Sequence, residues 1–215
     1  MADAFIALRG YTENEGIVAL KPEALVKTNL LGWIAASVLA GVAFRALGQT
    51  AGSPPSIDPA VLAKANAGDD AAEAQVGDSC SAGRDYKQAV AWYTKAANQG
   101  NITAELDLAR LYRDGRGKLF ARDADQAAAW YRKAADQGDP RAQGALGMLY
   151  TLGQGVPRSD VEAYYWLDLA AAVKSPDQDQ YVANRQNVGT RITADELEDV
   201  EERVAAWKAK HPRPE

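Results

Sequence analysis

The strongest constraint on the fold is an internal repeat. The segment Trp92–Gly100 (WYTKAANQG) recurs 38 positions later as Trp130–Gly138 (WYRKAADQG). At the same offset, Ala104 matches Ala142, Tyr112 matches Tyr150, Gly115 matches Gly153 and Gly117 matches Gly155. A third copy places Trp166 36 positions after Trp130, and a degenerate first copy aligns Ala72 and Cys80 with Ala142 and Tyr150. Repeats of this length are typical of arrays of stacked supersecondary units.

Each unit is predicted to contain two helices. In the third unit Ala142, Leu146, Gly147 and Tyr150 share one helical face, with the glycine allowing close packing. The Gly153–Pro157 segment then ends this helix, and Ser159 or Asp160 can cap the next. Because a lone helix pair cannot bury its apolar stripe, the units must stack, which predicts a helical solenoid.

The composition agrees with an all-α chain and limits the classes of partner that the chain is expected to bind. Alanine is abundant, β-branched residues are few, and 47% of the 215 residues are apolar. The formal net charge is −5, and no run of Lys or Arg forms a stripe for phosphate contacts. Nucleic acid is therefore not an expected partner.

The sequence offers few groups for catalysis or metal binding. Cys80 and His211 are the only residues of their types, which excludes an internal disulfide framework, a cysteine zinc site and a multi-histidine metal site. The segment Gly77-Asp78-Ser79 resembles a hydrolase nucleophile segment, but His211 has no evident way to reach Ser79. We therefore predict no catalytic residue, no cofactor and no metal.

The motif of the third unit resembles the Sel-one-like repeat, a longer-looped relative of the tetratricopeptide repeat. Residues 141–172 contain most of this motif, and the resemblance covers about residues 60–175. It implies a right-handed α-solenoid of helix-turn-helix repeats with a C-terminal helical cap. The second unit departs from the motif at Leu108-Ala109 and Lys118, and the first unit has no glycine pair. The resemblance also implies adaptor work, in macromolecular assembly, signalling or the bacterial envelope.

Residues that differ between matched repeats are the candidates for partner binding, because the shared architecture does not fix them. On the first helices these are Glu105, Arg110, Arg113, Gln143 and Met148. First-helix positions of such solenoids usually line the concave wall. The recurring Trp92, Trp130 and Trp166 are instead expected in the core.

The domain organisation follows from these segments. We expect residues 1–25 to be a non-structured segment or an extension before the true translation start. A signal peptide or membrane anchor would occupy 26–48, and a flexible linker would occupy 49–58. The repeats would occupy 59–175, as units of about 59–100, 101–138 and 139–175, and a helical cap would occupy 176–211. A capping box at Thr193–Glu196 marks the start of its amphipathic helix.

The N-terminal region predicts export. Leu30–Phe44 contains no charge, follows Lys21 and Lys27, and is closed by Arg45. Its 15 residues suit a secretory signal better than a bilayer span. An uncleaved membrane anchor and a buried helix of a soluble domain are the alternatives. Signal and anchor alike would place the repeats outside the cytoplasm.

We therefore predict a non-catalytic scaffold or adaptor of the bacterial cell envelope, which binds a protein or peptide in the groove of the solenoid. The alternatives are a cell-wall-related hydrolase or small-ligand binder and a purely structural spacer. The cysteine-rich members of the resembled family are associated with penicillin binding and hydrolysis. This sequence lacks their repeated cysteine pairs.

The start-site hypothesis has a direct test. If translation begins near Val26, mass spectrometry of the protein from its native source will find no peptide from Met1–Arg9. Detection of that peptide would contradict the hypothesis, because a mixed-charge extension would then belong to the native chain.

Overall fold

The computed structural model describes residues 57–212, which form nine α-helices and no β-strand. The helices are α1 (Pro59–Asn66), α2 (Asp70–Ala82), α3 (Tyr86–Asn98), α4 (Ile102–Asp114), α5 (Ala124–Asp136), α6 (Pro140–Leu152), α7 (Asp160–Ala171), α8 (Gln178–Gly189) and α9 (Ala194–Lys210). The predicted all-α architecture is confirmed. The extension over 1–25, the apolar segment Leu30–Phe44 and most of the linker lie outside the described residues.

The helices stack in chain order. From α1 to α8 each helix packs on its predecessor, and the one substantial contact between non-consecutive helices in residues 57–212 joins α9 to α7. This arrangement is a solenoid, in which each hairpin contacts mainly its neighbours. Within this part of the chain, no helix combines the length and the apolar character that crossing a bilayer would require.

The same short turn occurs at three places: it joins α1 to the first hairpin, the first hairpin to the second, and the second to the third. It consists of Gly68-Asp69, Gly100-Asn101 and Gly138-Asp139, and each glycine has φ between +88° and +90°. This backbone conformation suits glycine because it lacks a Cβ atom. The following Asp or Asn caps the next helix, since its side chain accepts a hydrogen bond from the backbone N–H of Ala72, Ala104 or Ala142. The turn thus starts α2, α4 and α6 at equivalent positions.

The longer loops inside the second and third hairpins are also matched. The N–H of Asp123 donates to the carbonyl of Tyr112 at 2.9 Å, and the N–H of Ser159 donates to that of Tyr150 at 3.1 Å. Asp123 and Ser159 then cap α5 and α7. Gly155 lies directly on the start of α5, where an added Cβ atom would come within 1.9 Å of the Ala124 carbonyl oxygen.

The cap consists of α8 and α9. The predicted capping box between Thr193 and Glu196 is present at the start of α9. Val200 and Val204 are buried and join the apolar cluster that contains Trp166 and Leu169. The apolar side of α7 is therefore covered by α9, the second helix of the cap.

Two glycines with similar backbone angles allow the loop contact to be tested. Gly155→Ala places a methyl group on the backbone of Ala124, so we expect a loss of about 2–4 kcal/mol in the free energy of unfolding. Gly117→Ala meets no atom within 4 Å and should cost only about 1 kcal/mol, the penalty for a side chain at positive φ. Equal losses in urea titrations of the two variants would contradict this packing.

Candidate functional site

A cavity of about 280 Å³ lies between α4 and α6, the first helices of two repeats, and α8 of the cap. Arg110 and Arg113 of α4, Arg141 and Met148 of α6, Tyr181 of α8 and the buried Tyr131 of α5 line it. We call this cavity the arginine pocket. It brings residues of two repeats and of the cap to one place.

The pocket contains three of the five residues predicted to bind a partner: Arg110, Arg113 and Met148. The other two lie inside the array. Glu105 is 2% exposed and Gln143 is fully buried, so neither presents a surface to a partner.

Glu105 and Gln143 instead form hydrogen bonds to neighbouring helices: the Glu105 bond joins the two helices of one hairpin, and the Gln143 bond joins successive hairpins. The Gln137 amide donates to the Glu105 carboxylate at 2.7 Å, and the Gln143 amide donates to the Ala135 carbonyl at 3.2 Å. The first repeat has the same contact, from Gln99 to Glu73 at 2.8 Å. The Glu73 match was the sequence signal that Glu105 occupies a shared position.

Burial raises the pKa of Glu105, and this effect is opposed by the charge of Lys133 and the hydrogen bond from Gln137. The amide of Gln137 thus favours the charged carboxylate. This arrangement ties α4 to the turn after α5, so we assign Glu105 a structural role.

Within residues 57–212, each of the three arginines of the pocket forms an ion pair with one carboxylate. The nearest N···O distances are 3.2 Å for Arg110 and Asp107, 2.7 Å for Arg113 and Asp114, and 2.8 Å for Arg141 and Asp139. All three arginine side chains are more than 40% exposed, so these pairs contribute little to stability. Because a guanidinium has five N–H donors, each arginine keeps donors for a further group.

Tyr131 is the most unusual residue of the pocket. It is 1% exposed, and no residue within 57–212 accepts a hydrogen bond from its hydroxyl. The guanidinium carbon of Arg113 lies 6.0 Å from the centre of its ring. Burial raises the pKa of Tyr131, while the charges of Arg113 and Arg110 lower it. A buried hydroxyl group normally has a partner, so this one requires an explanation.

The repeat register shows why Tyr131 differs from its equivalent, Tyr93. The Tyr93 hydroxyl donates to Asp78 at 2.8 Å. Asp78 stands six residues after Ala72, and six residues after the equivalent Ala104 stands Arg110. The second repeat therefore has a donor where the first has an acceptor. Sequence reasoning missed Tyr131 because it is identical in the two repeats.

Helix α8 closes the pocket on one side. Tyr181 packs directly on Gly144, where an added Cβ atom would come within 2.3 Å of the tyrosine ring. The Asn184 amide lies 3.2 Å from the sulfur of Met148. The cap thus contributes side chains to the same cavity as the repeats.

The recurring aromatic residues occupy two environments. Trp92 and Trp130 are only half-buried, with the ammonium groups of Lys95 and Lys133 each 3.8 Å from the ring centre. Trp166 is 2% exposed. It lies in the cluster with Val200 and Val204 of α9, so the cap buries the last tryptophan.

The remaining structural positions build the helix interfaces and the loops. Ala104, Ala142 and Leu146 are fully buried. An added Cβ atom on Gly147 would come within 2.7 Å of Leu167. Tyr112 and Tyr150 are half-buried, and Gly115 and Gly153 both have positive φ at the ends of α4 and α6.

The segment that resembled a nucleophile motif is not part of this site. The Ser79 hydroxyl donates to the Gln75 carbonyl within α2 at 3.0 Å. His211 stacks on Trp207 at the end of α9, with ring centres 4.1 Å apart. Within residues 57–212, no group of three or more His, Cys, Asp or Glu side chains is arranged to hold a metal ion.

Comparison with known proteins identifies the repeats. The Sel1 repeat family model matches residues 71–101, 102–139 and 140–173. These three segments are Sel1 repeats. Proteins built from these repeats are typically protein-interaction scaffolds. No functionally curated protein shows significant similarity to the chain.

Two solved structures are similar in sequence and fold. One is a protective antigen of uropathogenic Escherichia coli with an SLR fold: identity is 33%, the TM-score is 0.60, and the match covers 70% of this chain. The match spans only 32% of that antigen, about a third of its length. The other is a Sel1 repeat protein from Oxalobacter formigenes, with 29% identity, a TM-score of 0.51, and coverage of 59% of this chain and 95% of that one.

The different partners of the two tyrosines predict different effects on stability. Tyr93→Phe removes the donor to Asp78, so the free energy of unfolding should fall by about 1 kcal/mol. Tyr131→Phe removes a buried hydroxyl that has no acceptor within the described residues, so stability should be unchanged or higher. Urea titrations of both variants measure this difference, and a larger loss for Tyr131→Phe would contradict it.

Proposed function

We propose that this chain is a non-catalytic adaptor that binds a protein or peptide segment in a groove formed by α4, α6 and α8, with the arginine pocket as its centre. The observation that supports this function is the placement of Arg110, Arg113 and Met148. These residues differ between matched repeats, yet they line one cavity. Apart from Tyr131, the shared residues described above build the helix interfaces and the loops instead.

The composition of the pocket suits a protein partner. Arg, Tyr and Met are enriched in protein interfaces, and Arg and Tyr are frequent among the residues that dominate binding energy. A cavity of 280 Å³ accommodates one or two side chains of a partner. Sites for cofactors and drug-sized ligands commonly have volumes of about 300–1,000 Å³, which is above the volume of this cavity. The rest of the bound segment would lie along the exposed faces of α4 and α6.

We propose that this function takes place in the bacterial cell envelope. An exported or membrane-anchored chain would have its repeats outside the cytoplasm. The support comes from the sequence, in which the uncharged Leu30–Phe44 follows Lys21 and Lys27. The origin of both solved relatives, Escherichia coli and Oxalobacter formigenes, agrees with a bacterial protein. Fusion of a reporter that is active only outside the cytoplasm to Glu215 tests the location.

The binding proposal is tested by crosslinking in cells. The tagged full chain is crosslinked and purified, and captured proteins are quantified by mass spectrometry. The same is done for the Arg110→Glu/Arg113→Glu variant. The matched control is Lys87→Glu/Arg158→Glu, which changes the charge equally at two exposed residues outside the pocket.

We expect at least one protein to be captured by the wild type and the control and reduced about tenfold or more in the pocket variant. A profile that is the same for all three proteins would contradict binding in the pocket. Circular dichroism of each variant verifies that the helices remain folded.

A further inference from the structure

The arginine pocket contains a buried hydrogen-bond donor without an acceptor, beside positive charge. From this combination we infer that the pocket binds a carboxylate of an acidic peptide segment, which accepts a hydrogen bond from the Tyr131 hydroxyl and ion pairs with Arg110 and Arg113. This inference rests on the proposed function and specifies the chemistry of the partner. It concerns the carboxylate of a Glu or Asp side chain, or that of a peptide C-terminus.

The first repeat shows that a carboxylate fits against this tyrosine. Tyr93 is 4% exposed, and its hydroxyl donates to a carboxylate oxygen of Asp78 at 2.8 Å. Tyr93 and Tyr131 occupy the same position in helices of the same length, 13 residues. A carboxylate that reaches the Tyr131 hydroxyl would therefore meet the same donor one repeat further along the array.

The second repeat provides no such carboxylate of its own. The position equivalent to Asp78 is Arg110, which has only donors. Arg110 and Arg113 carry the positive charges that act on the Tyr131 hydroxyl. A donor and two cations around one small cavity attract an anion that can accept several hydrogen bonds. Because a carboxylate has two acceptor oxygens, it can contact the hydroxyl and a guanidinium together.

The carboxylates of the chain leave donors available. Asp107 contacts only Nη1 of Arg110, and Asp114 contacts Nε and Nη2 of Arg113. Asp139 holds Arg141 through Nε and Nη2. Within the described residues, these contacts leave Nε and Nη2 of Arg110 and Nη1 of Arg113 for a ligand. Asp177, which also lines the pocket, opposes an anion there, as do Asp107 and Asp114, whose charges also act on Tyr131.

The pocket also has an apolar side. Met148 lines this side together with Ala145 and Leu106. In the third repeat Met148 occupies the position that Asp78 and Arg110 occupy in the first two. The segment that fits this arrangement has an apolar residue next to its acidic group. We therefore expect sequences such as Leu-Glu or Glu-Leu, or a C-terminal apolar residue with a free carboxylate.

The first test selects peptides without assuming their sequence. The purified full chain is panned against random twelve-residue peptides, displayed in one format with a free C-terminus and in another with the C-terminus fused to the carrier. Peptides are retained if they bind the wild type and not Arg110→Glu/Arg113→Glu. We expect enrichment of Glu and Asp in the fused format, or of a defined terminal residue in the free format, which distinguishes the two sources of the carboxylate.

The second test measures affinity for one enriched peptide by fluorescence anisotropy. Tyr131→Phe should weaken binding by about tenfold or more, since a hydrogen bond to a charged acceptor is lost. The matched control Tyr93→Phe should bind as the wild type does, because the Tyr93 hydroxyl is already bonded to Asp78. Arg110→Asp should abolish binding, because the new carboxylate would accept the hydrogen bond of Tyr131, as Asp78 accepts that of Tyr93 in the first repeat.

Replacing the acidic group of the peptide separates a direct contact from an indirect effect. The uncharged peptide, with Gln for Glu or an amidated C-terminus, should bind the wild type about tenfold more weakly. It should lose less on Tyr131→Phe, because the neutral amide oxygen that replaces the carboxylate accepts a weaker hydrogen bond from the same hydroxyl. Independent, additive losses would contradict the predicted contact.

The outcomes distinguish the two proposals. If no peptide is selected that depends on Arg110 and Arg113, the proposed groove function fails and this inference fails with it. If such peptides are selected but lack acidic residues and bind equally well with a C-terminal amide, the function stands and the carboxylate inference is overturned. Equal binding by wild type and Tyr131→Phe also overturns it.

Discussion

The short turn before the first helix of each hairpin sets the register on which the array depends. At each of its three occurrences a glycine with φ near +90° is followed by Asp or Asn, which caps the next helix. A side chain at the glycine would strain the backbone, and loss of the cap would leave helix N–H groups unpaired. Because the turn is constant, residues at equivalent positions have equivalent surroundings. The comparison of Tyr93 with Tyr131 depends on this regularity.

The helix pairs, their order and the C-terminal cap could all be predicted from sequence, because the repeat period and the glycines are local signals. The capping box at Thr193 could be predicted for the same reason. The burial of Glu105 and Gln143 could not be obtained by comparing only the second and third repeats. Their difference suggested a free surface position, whereas the Glu73–Gln99 contact shows a shared structural one. Polar residues that hydrogen-bond between packed helices can vary without being exposed.

The aromatic positions illustrate a second limit of sequence reasoning. Trp and Tyr are adjacent in the repeat, and a period of 3.6 residues does not decide which of them faces the interior. In the first two repeats the tyrosines are buried, and the tryptophans lie half-exposed under a lysine. In the third repeat α9 covers Trp166, so its burial depends on a helix outside the repeat. The neighbour, and not the motif, determines the burial of each tryptophan.

The arginine pocket lies in this regular framework, but one of its sides is formed by the cap and not by a repeat. Helix α8 contributes Tyr181, which packs on Gly144 and closes one side of the cavity. The pocket is therefore formed where the repeats meet the cap, and it includes residues that no single repeat contains. A prediction restricted to the repeat motif finds Arg110, Arg113 and Met148 but not their neighbours on α8.

The series Asp78, Arg110 and Met148 has an evolutionary consequence. The buried tyrosine stays constant in the first two repeats while the first-helix residue changes from acidic to basic, and the third repeat has an apolar residue there. Each of these residues belongs to a helix whose stacking depends on other positions. Duplicated repeats of this kind can therefore diverge in ligand preference by one codon at a time, while the inherited scaffold is preserved.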